Sequence, residues 1–187
     1  MSRTTPAIAS LVLALLLPAL GAQAPPAQRN DQAPRTPVDS LAASVEPLFA
    51  AAEYDSILSL IPYYIRRAEA TRDSVLLGRA LTQRGRVEIM QGRRDAAEVD
   101  IDLGIRIAEA VHDTVGLMPA VHFKAFVLGS RGKHAEALRC FERRLDLALR
   151  THSPIDEAFA REGIGYMLHR RNDNARAREE YVLAIQL

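Results

Sequence analysis

Residues 113–152 read DTVGLMPAVHFKAFVLGSRGKHAEALRCFERRLDLALRTH, and the fold turns on how this stretch is read. Asp113 stands just before an apolar-periodic run, where its carboxylate can accept the free N–H groups of a first helical turn. Small Ala125 lies in mid-run, a turn follows at Gly132-Lys133, and Ala137 and Phe141 open a second run reaching the next cap, Ser153. Forty residues upstream, Asp73, Gly85, Gly92, Ala97 and Ile101 fill the same columns. Forty downstream they are filled by Ser153, Gly165, Asn172, Ala177 and Tyr181. Ala108 and Ala148 add one more column, and Pro154 suits a first helical position. A forty-residue unit broken by a central turn predicts two helices. In the upstream copy they run from about Ser74 to Gln91 and from Arg93 to Val111, each about 25 Å long at 1.5 Å per residue.

Such a unit is a helical hairpin. Gly85 and Ala97 let its two backbones approach, while Leu81, Ile101 and Ile105 fill the space toward its neighbours. No hairpin can bury that face alone, so the units must stack. A degenerate leading unit precedes them. Glu53-Tyr54-Asp55 reads as its turn, and Ile65-Arg66-Arg67-Ala68-Glu69-Ala70 echoes Ile105-Arg106-Ile107-Ala108-Glu109-Ala110. Pro47 and Pro62 fall inside its helices, which predicts a shortened or bent first pair acting as an N-terminal cap.

These columns resemble the tetratricopeptide repeat (TPR) family: a small residue in mid first helix, a Gly-containing turn, an early Ala in the second helix, and an aromatic or Ile four residues later. Gly165, Asn172-Asp173-Asn174, Ala177, Tyr181 and Ala184 match best, and Ala125, Gly132-Lys133, Ala137 and Phe141 match well. The resemblance covers about Asp39 to Leu187 and implies an all-α fold, a right-handed α-α superhelix of about four helical hairpins. The divisions are 38–72 (degenerate), 73–112, 113–152 and 153–187. The usual unit has 34 residues, so forty implies longer helices. Armadillo and HEAT repeats have about that period, and the small-residue columns favour the TPR family over them. Four charges depart from the pattern: Arg84, Glu88 and Lys124 stand at usually apolar places, and Arg144 at a usually small one. Arg84 and Glu88, four apart, are expected to pair along their helix or face solvent.

Outside the repeats, Arg3, the apolar run Ala7–Leu20 and the small residues Gly21-Ala22-Gln23-Ala24 have the three-part layout of a cleavable signal peptide over 1–24. That layout predicts export to a periplasmic or extracellular space, with no stable membrane span after cleavage. Residues 25–37, rich in Pro, Ala and Gln, read as a disordered linker. The 24 Lys and Arg nearly balance 23 Asp and Glu, so no global field attracts nucleic acid, and any binding patch must be local. Cys140 is the only cysteine, which excludes an intrachain disulfide and reads as an inert thiol.

By resemblance, the first helices line a concave groove that takes a partner protein or peptide. That groove would present Arg79, Gln83, Arg86 and Met90, then His122, Phe123, Phe126 and Ser130, then Glu162, Tyr166, His169 and Arg170. This basic and aromatic mixture suits an extended peptide with acidic and apolar side chains. The Lys and Asn pattern by which some family members clamp a C-terminal carboxylate is not present at these positions. Neither a Gly-rich phosphate loop nor a paired-carboxylate constellation nor closely spaced His pairs occur, so no catalytic residue, metal or cofactor is expected. The leading expectation is an exported, non-enzymatic interaction scaffold; the alternative is the sensory or regulatory N-terminal input segment of a larger envelope signalling or protease protein. Leu183, Ile185 and Leu187 close the last pair with no polar terminal helix after them, so a second copy or further sequence is expected to cover them.

Overall fold

The computed structural model describes residues 36–187. The signal peptide read over 1–24, and the linker as far as residue 35, lie outside the described residues. Thr36 and Pro37, read as the end of that linker, instead start a helix. The Thr36 side chain accepts the Asp39 N–H, the Asp39 carboxylate takes the Thr36 N–H, and Pro37 occupies the first turn.

Eight helices occur among the described residues, with no strand. They are α1 (Pro37–Ala50), α2 (Tyr54–Thr71), α3 (Ser74–Met90), α4 (Arg94–Ala110), α5 (Thr114–Ser130), α6 (His134–Arg150), α7 (Pro154–Arg170) and α8 (Asn174–Ile185). The chain divides at Glu53 into two compact units, so α1 and α2, the two helices of the leading repeat, belong to different units. Pro47 lies inside α1, which has 14 residues. Pro62 does not shorten α2, an unbroken helix of 18 residues, because a proline in a packed helix costs one backbone bond without ending the element.

In the second unit each helix packs on the next, and α3 also meets α5, and α5 meets α7. The result is a solenoid of hairpins with the first helices of successive pairs in one layer. The columns explain it locally. Asp73, Asp113 and Ser153 each accept a first-turn N–H, from Leu76, Gly116 and Asp156 at 2.9, 3.0 and 3.3 Å. Left-handed residues recur every twenty positions, at Ala52, Arg72, Gly92, His112, Gly132, His152 and Asn172. The forty-residue period is thus two modules, each a helix of about 17 residues plus a three-residue turn. Gly and Asn take this conformation readily, but Arg72, His112 and His152 adopt it against the usual preference of a Cβ-bearing residue.

Close approach needs small residues at the predicted places. A Cβ on Gly85 would stand 2.7 Å from the Ile101 side chain, and one on Gly165 would stand 2.9 Å from the Tyr181 ring. Ala97, Ile101, Ala125, Ala137 and Phe141 are buried.

Candidate functional site: the face of the first helices

The face formed by α3, α5 and α7 divides into a structural part and an open part. Arg79 belongs to the first. Its guanidinium grips Asp113, the cap of α5, through two bonds of 2.8 and 2.7 Å, so its charge ties one repeat to the next. Burial works against the Asp113 charge, but the Arg79 bonds and the Gly116 N–H outweigh it and hold the carboxyl below its usual range. The cleft beside this pair, lined by Val75, Gly78 and Gly116, has no room for a water-sized guest.

The centre of the face is aromatic. His122 is packed edge-on against Phe123, Phe126, Phe141 and Phe159, with centroid distances of 5.5, 4.8, 5.5 and 6.2 Å. Its Nδ1 is buried without a partner, and burial, helped by the Arg144 and Arg86 charges, pushes its pKa well down, so the ring is neutral. His122 is therefore a packing residue. Arg144 of α6 is buried beneath this cluster: its guanidinium lies 5.1 Å from the Phe159 centroid and bonds to Asp156 at 2.7 Å. Burial lowers the Arg144 pKa against the pull of Asp156, while Glu162 nearby is pushed up by its own burial and held back by Arg144.

The remaining residues expected in the groove sit around that centre. Arg86 of α3 lies over the Phe123 ring, 5.8 Å from its centroid. Phe126 and Tyr166, both partly buried, pack on the core of Ala125, Leu128, Phe141 and Ile164. Gln83 and Met90 are partly exposed, with the Gln83 side-chain carbonyl oxygen buried and unbonded. Toward the turns, the Ser130 hydroxyl donates to the Val127 carbonyl, His169 contacts the Asn174 side chain at 2.7 Å, and Arg170 is exposed. The structure brings Arg86, His122, Phe123, Phe126, Glu162 and Tyr166 to the central face. It withdraws Arg79 into an inter-repeat strut and leaves Met90, Ser130, His169 and Arg170 at the turn end.

Sequence reasoning passed over the other end of the face. Val115, Ile155 and Phe159 are exposed by 60%, 70% and 43%, so the first turns of α5 and α7 present apolar side chains to solvent. The signal was in the columns, because Val75, Val115 and Ile155 stand forty apart, each two residues after a cap.

The four charges that break the repeat pattern also find their places. Arg84 takes Asp100, not Glu88, as its main partner. It clasps buried Asp100 of α4 through two nitrogens, and that bond more than offsets desolvation in holding the guanidinium charged. Glu88 is buried, not solvent-facing, and one of its oxygens has no partner. Lys124 of α5 reaches back to Glu98 and Asp102 of α4 at 2.7 and 2.8 Å, bonds that overcome its desolvation and raise its pKa. Burial raises the thiol pKa of half-buried Cys140, which keeps it in the unreactive form. Among the described residues, His, Cys, Asp and Glu form no group able to hold a metal ion.

No family model matches the chain, and no curated protein matches it significantly.

Proposed function

We propose that this protein is an exported interaction scaffold of the TPR kind, without catalytic activity of its own, whose first-helix face holds a partner protein or peptide. The observation that carries the reading is the open part of that face. Val115, Ile155 and Phe159 are solvent-exposed on neighbouring repeats and lead inward to Phe126 and Tyr166. Exposed β-branched residues at a helix start contribute little to the helix and cost solubility, so their recurrence in one column favours a partner that covers them. Partly exposed Arg86 and Gln83 supply polar contacts beside them. The export reading rests on the residue 1–24 pattern.

Val115→Asp with Ile155→Asp tests the reading, since both side chains are exposed and the helices should survive. Affinity capture from the native envelope should lose its specific partner while the helical spectrum stays intact. Arg86→Ala, Phe126→Ala and Tyr166→Ala should weaken the same capture. Unchanged capture by both sets, with intact helicity, would remove the face from consideration.

A second reading, an input segment of a larger envelope protein or a scaffold that pairs with its own copy, is favoured by α8. Its Val182, Leu183 and Ile185, with Leu187 beyond, are exposed by 47%, 41%, 84% and 54%. Sizing the purified chain separates the two readings: a soluble monomer at high concentration counts against the second.

A further inference from the structure

The two edges of the second unit differ in charge. Antiparallel hairpins joined by three-residue turns put every first-to-second turn on one edge and every second-to-first turn on the other. On the first edge, residues 90–96, 130–136 and 170–176 carry seven Lys and Arg against three carboxylates. On the opposite edge, residues 70–76, 110–116 and 150–156 carry two against three. A chain of net charge +1 has therefore gathered its excess at one edge.

The carboxylates there are already engaged. Asp95 is held by Arg131, Asp173 caps α8, and Glu136 lies 4.0 Å from Lys133. The side chains of Arg93, Arg94, Arg170 and Arg171 are exposed and bond to no group among the described residues. Arg93 and Lys133 also occupy the N-cap positions of α4 and α6 without any side-chain cap bond, so the partial positive charge of those helix ends adds to the edge.

We propose that this basic edge is a peripheral docking surface for an anionic phospholipid membrane. The guanidinium fork matches phosphate oxygens, and all four of those side chains, without a hydrogen bond or ion pair among the described residues, are arginines. They form two adjacent pairs, Arg93-Arg94 and Arg170-Arg171, at turn tips two repeat steps apart, about 20 Å at about 10 Å per step, a spacing that reaches separate headgroups at once. None of the exposed large apolar residues falls in these three segments, so the edge offers charge alone and no apolar anchor for a peptide side chain. No helix among the described residues is long and apolar enough to cross a membrane, so the contact is one of surface charge. Docking by this edge shares Arg170 with the turn end of the first-helix face but leaves the opposite end, with exposed Val115, Ile155 and Phe159, open, and the two assignments stand or fall separately.

The test is co-sedimentation of the full chain with vesicles of phosphatidylcholine alone and of phosphatidylcholine mixed with phosphatidylglycerol. The apolar run Ala7–Leu20 acts on both vesicles, while Arg3, Arg29 and Arg35 add an anionic preference of their own, so the readout is the part of the extra binding to anionic vesicles that the edge variant removes. The anionic increment should fall steeply as salt rises. The variant Arg93→Ser, Arg94→Ser, Arg170→Ser, Arg171→Ser should reduce it by about a hundredfold or more, at about fivefold per lost cation. Arg72→Ser with Arg150→Ser, on the opposite edge, should leave it unchanged. The proposal is overturned by equal binding to both vesicles, by a salt-independent increment, or by an equal loss in the two variants. Tighter binding to an oligonucleotide or to polyglutamate than to anionic vesicles overturns it in favour of that partner.

Discussion

The junction of α3, α4 and α5 and the junction of α5, α6 and α7 occupy equivalent places one repeat apart, yet they are held by different physics. The earlier one surrounds a small aliphatic core of Ala97, Ile101 and Val127 with charge: Arg84 clasps Asp100, Glu88 is buried beside them, Lys124 spans Glu98 and Asp102, and Arg79 grips Asp113. At the later one, Phe126, Phe141 and Phe159 close around a neutral His122, and the buried Arg144 lies against a ring. The column that holds Ile101 at one junction holds Phe141 at the other. A repeat fixes where two backbones meet but leaves the chemistry of the meeting free, provided that volumes fit and buried charges are paired.

Emptying the aromatic junction should have the largest effect. Phe141→Ala removes the centre of a core that runs from Ala125 to Ala177, and we expect a loss of about 4 kcal/mol in urea unfolding. The equivalent Ile101→Ala should cost about 3 kcal/mol. A smaller loss for Phe141 than for Ile101 would show that the polar junction is the better packed of the two.

Overfilling the aromatic junction comes next. A Cβ on Gly163 would lie 2.3 Å from two carbons of the Phe141 ring, which is itself buried. Gly163→Ala gains helix propensity of about 1 kcal/mol but forces the ring or the backbone to shift, for a net loss of about 2 kcal/mol. Combining it with Phe141→Leu should recover part of that loss. A neutral Gly163→Ala on its own would mean that the two helices separate easily, and the contrast between the junctions would lose its basis.

The polar junction is expected to give less when broken from its open side. Arg84→Met leaves Asp100 buried without its partner, a change that costs 3 to 5 kcal/mol between fully buried charges. The Arg84 side chain keeps 36% of its exposure, so solvent screens the pair and about 2 kcal/mol is expected. Thermal melts at low and high salt check this, and a loss that vanishes in salt would reduce the pair to a surface bridge.

The sequence carried the scaffold far better than the face. Caps, turns and small residues could be read because each meets a local requirement: a free N–H, a left-handed backbone, or a close approach. Asp73, Gly132 and Gly85 each meet one of these in the structure. The charges were visible only as departures. That Arg84 would choose Asp100, sixteen residues away, over Glu88 depends on the second helix lying against the first, which no local pattern encodes. Arg79 looked like a groove cation for the same reason, since its bond to Asp113 spans 34 residues. The apolar ends at Val115 and Ile155 lay in a repeating column two residues after the caps, where exposure, not residue type, sets them apart.

Glu88 gives the smallest expected effect and the sharpest test of how the polar junction is balanced. Burial raises its pKa first, and the nearby Asp100 charge adds to that, against the pull of Arg84 and Arg93. An acid whose pKa is higher in the folded chain binds its proton more tightly there. Its contribution to stability is complete below the ordinary glutamate range and is lost as pH rises through the raised value. At neutral pH the ionised carboxylate is a small burden, with one oxygen buried and unbonded. Glu88→Gln keeps the shape and removes the charge, so it should stabilise the fold by roughly 0.5 kcal/mol at neutral pH. The gain should fade as pH drops toward the ordinary glutamate range, where both side chains are neutral. A loss of stability at neutral pH would mean that Arg84 or Arg93 needs the Glu88 charge. The polar junction would then be a three-way network, tuned as closely as the aromatic packing one repeat further on.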